Sequence, residues 1–129
     1  MLTRETLRVL VVDDQKSMRQ LICTSLRGLG LVHVQNAEDG AMALATLRSR
    51  TFDLVLLDAE MPKLNGIETL AAIRGEERLR SLKVIMVTGR ADVEFIRQAA
   101  KLGIDGYLVK PVSSNVLAAR IDAAIRKTA

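Results

Sequence analysis

Val9-Leu10-Val11-Val12-Asp13-Asp14 joins four branched apolar residues to two carboxylates. A strand that is apolar at every position belongs inside a sheet covered on both faces. The two acids that follow it would then stand at the carboxyl edge of that sheet. Similar runs recur at Leu54-Val-Leu-Leu57, Val84-Ile-Met-Val87 and Tyr107-Leu-Val109. A fifth run, Val32-His-Val-Gln-Asn-Ala37, is more polar and reads as an edge strand.

Between the runs, apolar residues return at helical spacing. Met18, Leu21, Ile22, Ser25, Leu26 and Leu29 mark a first helix, and Met42, Ala43, Leu44 and Leu47 a second. Ile67, Leu70, Ala71 and Ile73 suggest the third, Val93, Ile96, Ala99 and Ala100 the fourth, and Val116, Leu117, Ile121, Ala124 and Ile125 the fifth. Glycines at 30, 40, 66, 75, 89 and 103 punctuate them. Alternating βα units require crossover connections, which are right-handed and place helices on both faces of a parallel sheet. The expected architecture is α/β, a doubly wound five-stranded parallel sheet of order 2-1-3-4-5. In such sheets function gathers at the carboxyl ends of the strands, where the winding reverses.

A length of 129 residues suits one domain, 1–129, with a core over about 7–127 and no room for a separate output domain. Hydrophobic residues at 49% and charged residues at 26% match an ordinary globule rather than a disordered tail or a fibre. The single cysteine, Cys23, can form no internal disulfide, and the opening residues lack a long apolar stretch, so a cytoplasmic protein with no membrane insertion is expected. The net charge is +4, unevenly spread. Residues 1–64 hold eight basic and eight acidic side chains, whereas the rest hold eleven and seven, so the surplus lies wholly in the second half. Aromatic residues make up only 2%, too few for a surface on which single-stranded bases stack.

The residues just past the strands carry the chemistry. Asp13-Asp14 follow the first, Asp58 the third, Thr88 the fourth and Lys110-Pro111 the fifth. Carboxylates crowded at one edge repel one another unless a cation sits among them, and hard oxygen ligands on a partly open site suit Mg²⁺. A magnesium ion facing a lysine suits a phosphoryl group, whose transfer depends on positioning and charge neutralisation. Asp58, at the end of a central strand, is the candidate nucleophile, giving an acyl phosphate. Asp13 and Asp14 would hold the metal, while Lys110 and Thr88 would meet phosphate oxygens. Singly, each has a plainer reading: Asp13-Asp14 as a turn, Thr88 as a β-branched strand residue, Tyr107 as packing. His33 reads as a surface residue and Cys23 as a small packing or surface residue.

Val-Val-Asp13-Asp14, Leu-Leu-Asp58-Ala-Glu-Met-Pro62 with Gly66, Val-Thr88-Gly89 and Gly106-Tyr-Leu-Val-Lys110-Pro111 resemble the receiver domain of two-component response regulators. Their spacing along nearly the whole chain is similar to that of the single-domain, CheY-like members. The resemblance implies a flavodoxin-like (βα)5 fold and Mg²⁺ held by Asp13, Asp14, Asp58 and the backbone carbonyl of Glu60. It implies that Asp58 takes a phosphoryl group from a phosphohistidine on a histidine kinase or histidine phosphotransfer protein, with only weak hydrolysis thereafter. It also implies a cis Lys110-Pro111 bond and a switch. Thr88 moves toward the phosphoryl group and Tyr107 turns inward, remodelling the face made by the fourth helix, fifth strand and fifth helix for a downstream protein target.

Glu60 and Arg90 lie two residues after Asp58 and Thr88, where charge would tune the lifetime of the phosphorylated state. Ala59 and Val112 stand where chemotaxis relatives often carry aromatics, which weakens an assignment to the flagellar motor. The reading is a stand-alone switch, monomeric or weakly dimeric, without direct DNA binding, serving a phosphorelay such as chemotaxis. Arg78, Arg80, Lys83, Arg90, Arg97 and Lys101 would lie on the switch surface and favour an acidic partner. The alternative is a phosphorylation-independent adaptor, or a receiver responsive to a nucleotide or other anion through its basic second half. A metal-dependent phosphatase would need Asp-x-Asp after a strand, and a Rossmann enzyme a Gly-rich turn after the first; neither occurs here.

Overall fold

A computed structural model describes residues 2–89 and 93–126. In chain order the elements are β1 (Arg8–Val12), α1 (Lys16–Gly28), β2 (His33–Ala37), α2 (Gly40–Ser49), β3 (Leu54–Asp58), α3 (Gly66–Gly75), β4 (Lys83–Thr88), α4 (Val93–Leu102), β5 (Gly106–Val109) and α5 (Ser114–Arg126). The strands form one parallel sheet of order β2-β1-β3-β4-β5, as the alternation of runs and helices predicts.

Successive residues of a strand point to opposite faces, and here each face feeds its own core. Val9, Val11, Leu54, Leu56, Ile85 and Val87 pack with Ile22, Cys23 and Leu26 of α1 and Leu117, Ile121 and Ala124 of α5. Leu10, Val12, Val55, Leu57, Val84 and Met86 pack with Ala43, Leu44 and Leu47 of α2, Leu70 and Ile73 of α3, and Phe95 and Ala99 of α4. The three central strands are therefore apolar over Val9–Val12, Leu54–Leu57 and Val84–Val87. β2 alternates weakly and leaves His33 exposed, as befits an edge strand. Cys23 is buried, and burial pushes its thiol up from the ordinary value.

Several expected core positions face outward instead. Leu21 is 57% exposed and Val93 71%, and Met42, Ala71, Ala100 and Val116 are also exposed. An apolar residue at helical spacing is buried only if the sheet lies beneath its side of the helix. On α4 that side carries Phe95 and Ala99, four residues apart, which displaces Val93 to the outer rim.

Local signals start two helices. Asp39 caps α2 by accepting from the Met42 amide. Asn65 and Glu68 form a reciprocal capping box on α3, satisfying two amides that the helix cannot. Three arginines tie elements together: Arg4 to Asp122 and the Leu29 carbonyl, Arg48 to Glu76, and Arg74 to the carbonyls of Gly103, Arg80 and Leu82 beside Asp105.

The start of α3 lies directly on the end of β3. A Cβ on Gly66 would come within 2.4 Å of the Asp58 carbonyl oxygen and 2.7 Å of the Ala59 Cα, both rigid backbone atoms. Gly66→Ala should therefore destabilise the fold by roughly 2–4 kcal/mol, measured as a shifted urea midpoint. An unchanged midpoint would mean that α3 can retreat from β3.

Candidate functional site

Register brings the predicted residues together. Val12 stands beside Leu57, so Asp13, one residue on, aligns with Asp58. Asp58 pairs with Val87, placing Thr88 one step beyond it on the next strand. Thr88 pairs with Val109, and the Lys110 amide donates to the Thr88 carbonyl at 2.8 Å. The residues lie where β1 and β3 part company, with their connections running to opposite faces.

Asp13 is 1% exposed and Asp58 4%, whereas Asp14 faces solvent. Carboxylate oxygens of all three lie within 4.8 Å of one another. Lys110 Nζ donates to Asp13 Oδ2 at 3.0 Å and to Asp58 Oδ1 at 3.4 Å. The Glu60 amide also reaches Asp58 Oδ1, at 3.4 Å, and no described residue donates to Oδ2. The Gln15 amide donates to Asp13 Oδ1 at 2.9 Å. Thr88 is fully buried beside the cluster, and the Lys110-Pro111 bond is cis.

Burial, followed by the charge of Asp13, raises the Asp58 carboxyl, and Lys110 and the Glu60 amide only partly offset this, leaving it at about 6. Burial pulls the Lys110 ammonium down, but its hydrogen bond to Asp13 and the charges of Asp58 and Asp13 outweigh that and hold it above its ordinary value. Three carboxylates against one ammonium leave the cluster short of positive charge, and an all-oxygen donor set of this size suits a hard divalent cation.

An open cleft of about 600 Å³ leads to the cluster, lined among others by Asp14, Asp58, Glu60, Gly89 and Lys110. Glu60 is exposed at its mouth. Arg90, expected opposite Glu60, lies outside the described residues. Tyr107 is 40% exposed on β5, away from the cluster's buried carboxylates.

Sequence reasoning missed two contributors. Arg19, on the first turns of α1, donates through Nη1 to the Asp13 carbonyl at 2.8 Å and so fixes the loop that presents both acids. Its only sequence signal is a position one helical turn into α1. Asn65 lines the cleft, and its Asn-x-x-Glu pattern with Glu68 was legible as a helix start.

The fold and this acid-and-lysine edge define a receiver of the two-component type. Residues 9–122 match the response regulator receiver domain family, and the chain belongs to it. It is 42% identical over 116 residues to the chemotaxis protein CheY of Pseudomonas aeruginosa, covering 90% of this chain and 94% of the relative. It is 40% identical over 118 residues to chemotaxis protein CheY-3 of Vibrio cholerae, covering 92% and 91%. Among solved structures, Vibrio cholerae chemotaxis protein CheY4 superposes with a TM-score of 0.86 at 30% identity, covering 92% of this chain and 98% of that one. The chain is thus a CheY-like response regulator receiver. Receiver domains bind Mg²⁺ in an acidic pocket, and the Asp13, Asp14 and Asp58 group fits that requirement. No described helix is long and apolar enough to cross a membrane.

The raised Asp58 carboxyl makes stability depend on pH in a definite direction. Folded Asp58 keeps its proton to about 6, whereas the unfolded group releases it near 3.8. The folded state therefore holds the extra proton between those values, and the contribution of this group to stability falls as pH rises through them. With metal chelated, Asp58→Asn should stabilise the protein by about 2 kcal/mol more near pH 7.5 than near pH 4.5. Paired urea melts at the two pH values would show it, and an equal effect at both would refute it.

Proposed function

We propose that the protein is a phosphoacceptor switch in which Asp58 takes a phosphoryl group from a phosphohistidine, in a reaction that needs Mg²⁺. The observation that carries this reading is a half-protected aspartate at a sheet edge, with Lys110 on one oxygen and no described donor on the other. Asp58 Oδ2 attacks phosphorus in line, the N–P bond of the donor breaks, and the neutral imidazole leaves with its proton supplied by solvent. Lys110 exchanges its hold on Asp58 Oδ1 for a phosphoryl oxygen, helped by its retained bond to Asp13. Asp13, Asp14, Asp58 and the Glu60 backbone carbonyl would hold the ion, which when bound neutralises charge on the phosphoryl oxygens. Because transfer costs little covalent work, donors of the phosphoramidate class should suffice without a kinase.

The output follows from charge and strong acceptors added beside Thr88 and Lys110. These residues can satisfy them in only one of two arrangements, so phosphorylation shifts the population of the adjoining surface. Thr88 and Tyr107 are the switch pair. On the face of α4, β5 and α5, Tyr107, Val109 and Val116 are exposed apolar residues among Arg97, Lys101 and Arg120, a combination suited to a partly apolar, acidic protein target. The relatives' names point to chemotaxis as the process served. Glu60, at the cleft mouth, would influence water's access to the acyl phosphate. The same reading makes the donor a histidine kinase or histidine phosphotransfer protein.

Incubation with a phosphoramidate and Mg²⁺ should give one acid-stable, hydroxylamine-labile phosphoryl group per chain, seen by intact-mass spectrometry. Chelation or Asp58→Asn should abolish it, and Lys110→Ala should slow it at least tenfold, since a charge-assisted hydrogen bond is worth about 1.5–3 kcal/mol. Undiminished labelling of Asp58→Asn would overturn the assignment of the acceptor.

A further inference from the structure

The positive surplus, expected from sequence on the switch face, does not all lie there. Arg97 and Lys101 are on α4, but Arg78 and Lys83 line a cleft at the amino ends of the strands, with Arg50 from the end of α2. This cleft, of about 240 Å³, has the buried Leu79 and Leu82 and the half-buried Phe52 as apolar wall, with Thr51 and Ser81 beside them. A second, of about 580 Å³, shares Arg50, Thr51 and Phe52 and adds Arg8, His33 and Gln35. The two clefts flank the turn between α2 and β3, about 16 Å from the phosphoryl site by the length of β3.

Unpaired cations occur elsewhere on the surface, as at Lys16, Lys63 and Lys101, but at this pole several of them gather around one cleft. Arg4, Arg48 and Arg74 are spent on Asp122, Glu76 and Asp105. Among the described residues, the side chains of Arg8, Arg50, Arg78 and Lys83 make no ion pair or hydrogen bond, and Glu76, near Arg78, is already held by Arg48. The one carboxylate lining the clefts, Asp53, accepts from the Arg8 amide while its own amide donates to the Arg8 carbonyl, so its position is fixed by β1. Four cations thus surround an apolar wall with a single acid among them.

An apolar wall with guanidinium and ammonium groups around it and hydroxyls at hand is suited to a flat ring bearing phosphate. We propose that this pole binds a nucleoside diphosphate, with the base against Phe52, Leu79 and Leu82 and the phosphates on Arg50, Arg78 and Lys83. The site is independent of the acidic edge and of the phosphotransfer reading, since it lies at the other end of the sheet and needs no metal.

Titration of the nitrogen-15-labelled full chain with ADP and with GDP, in chelator at physiological salt, tests it by amide shifts. Saturable shifts should appear at residues 50–53 and 78–83 and persist in Asp58→Asn. The double variant Arg50→Gln, Lys83→Gln, whose side chains make no hydrogen bond or ion pair among the described residues, should melt as the wild type does and bind at least about tenfold more weakly. Inorganic pyrophosphate should bind more weakly than either nucleotide. Shifts confined to Asp14, Gly89 and Lys110, unchanged affinity in a folded double variant, or equal affinity for pyrophosphate would each overturn the proposal.

Discussion

Repulsion among Asp13, Asp14 and Asp58 is the constraint around which the carboxyl edge of this sheet is organised. Left to themselves, carboxylates so close would separate or take up protons. They cannot separate, because Asp13 and Asp58 extend neighbouring parallel strands whose register is fixed by apolar side chains packed on both faces. The conflict is eased in three ways. Lys110 lies across Asp13 and Asp58, Asp14 turns to solvent, and Asp58 has its proton affinity raised. Each remedy is partial, and the residual negative charge is what makes the site receptive to a divalent cation.

The same rigidity explains why the site can be small. Gly66 lets the amino end of α3 approach the backbone of Asp58, while Arg19 holds the Asp13 carbonyl from the other face of the sheet. The cluster is thereby clamped between helices that belong to different cores. Such clamping suits the phosphoryl transfer proposed above, since little reorganisation would be needed as charge moves. Thr88 links the cluster to β5, because its backbone bonds to Lys110 and its partner in register is the exposed Val109. That link is what the proposed switch through Tyr107 would use.

The strand runs made the architecture legible before any coordinates. Val9–Val12, Leu54–Leu57 and Val84–Val87 are apolar at every position, and in a chain of alternating runs and helices that leaves few arrangements. Helix faces were less legible. Leu21 and Val93 satisfy the helical spacing and still face solvent, while Phe95 carries the buried face of α4. Periodicity identifies a stripe but does not say which edge of the stripe the sheet covers. The basic residues were misread for a related reason, since sequence neighbours such as Lys83 and Arg97 lie on either side of a whole strand and end up at different places on the fold.

What the sequence determined by itself was the order of strands and helices and the identity of the residues at or just past the end of each strand. Parallel pairing then has no choice but to collect Asp13, Asp58, Thr88 and Lys110 at one edge. Only the tertiary structure decided which carboxylate is buried, which oxygen Lys110 occupies, and that Arg19 and Gly66 secure the loops. It also decided which arginines are spent on structure and which face the clefts of the opposite pole. Those outcomes depend on distances between segments far apart in the chain, and a one-dimensional pattern carries residue type and spacing but not the partner met across a fold.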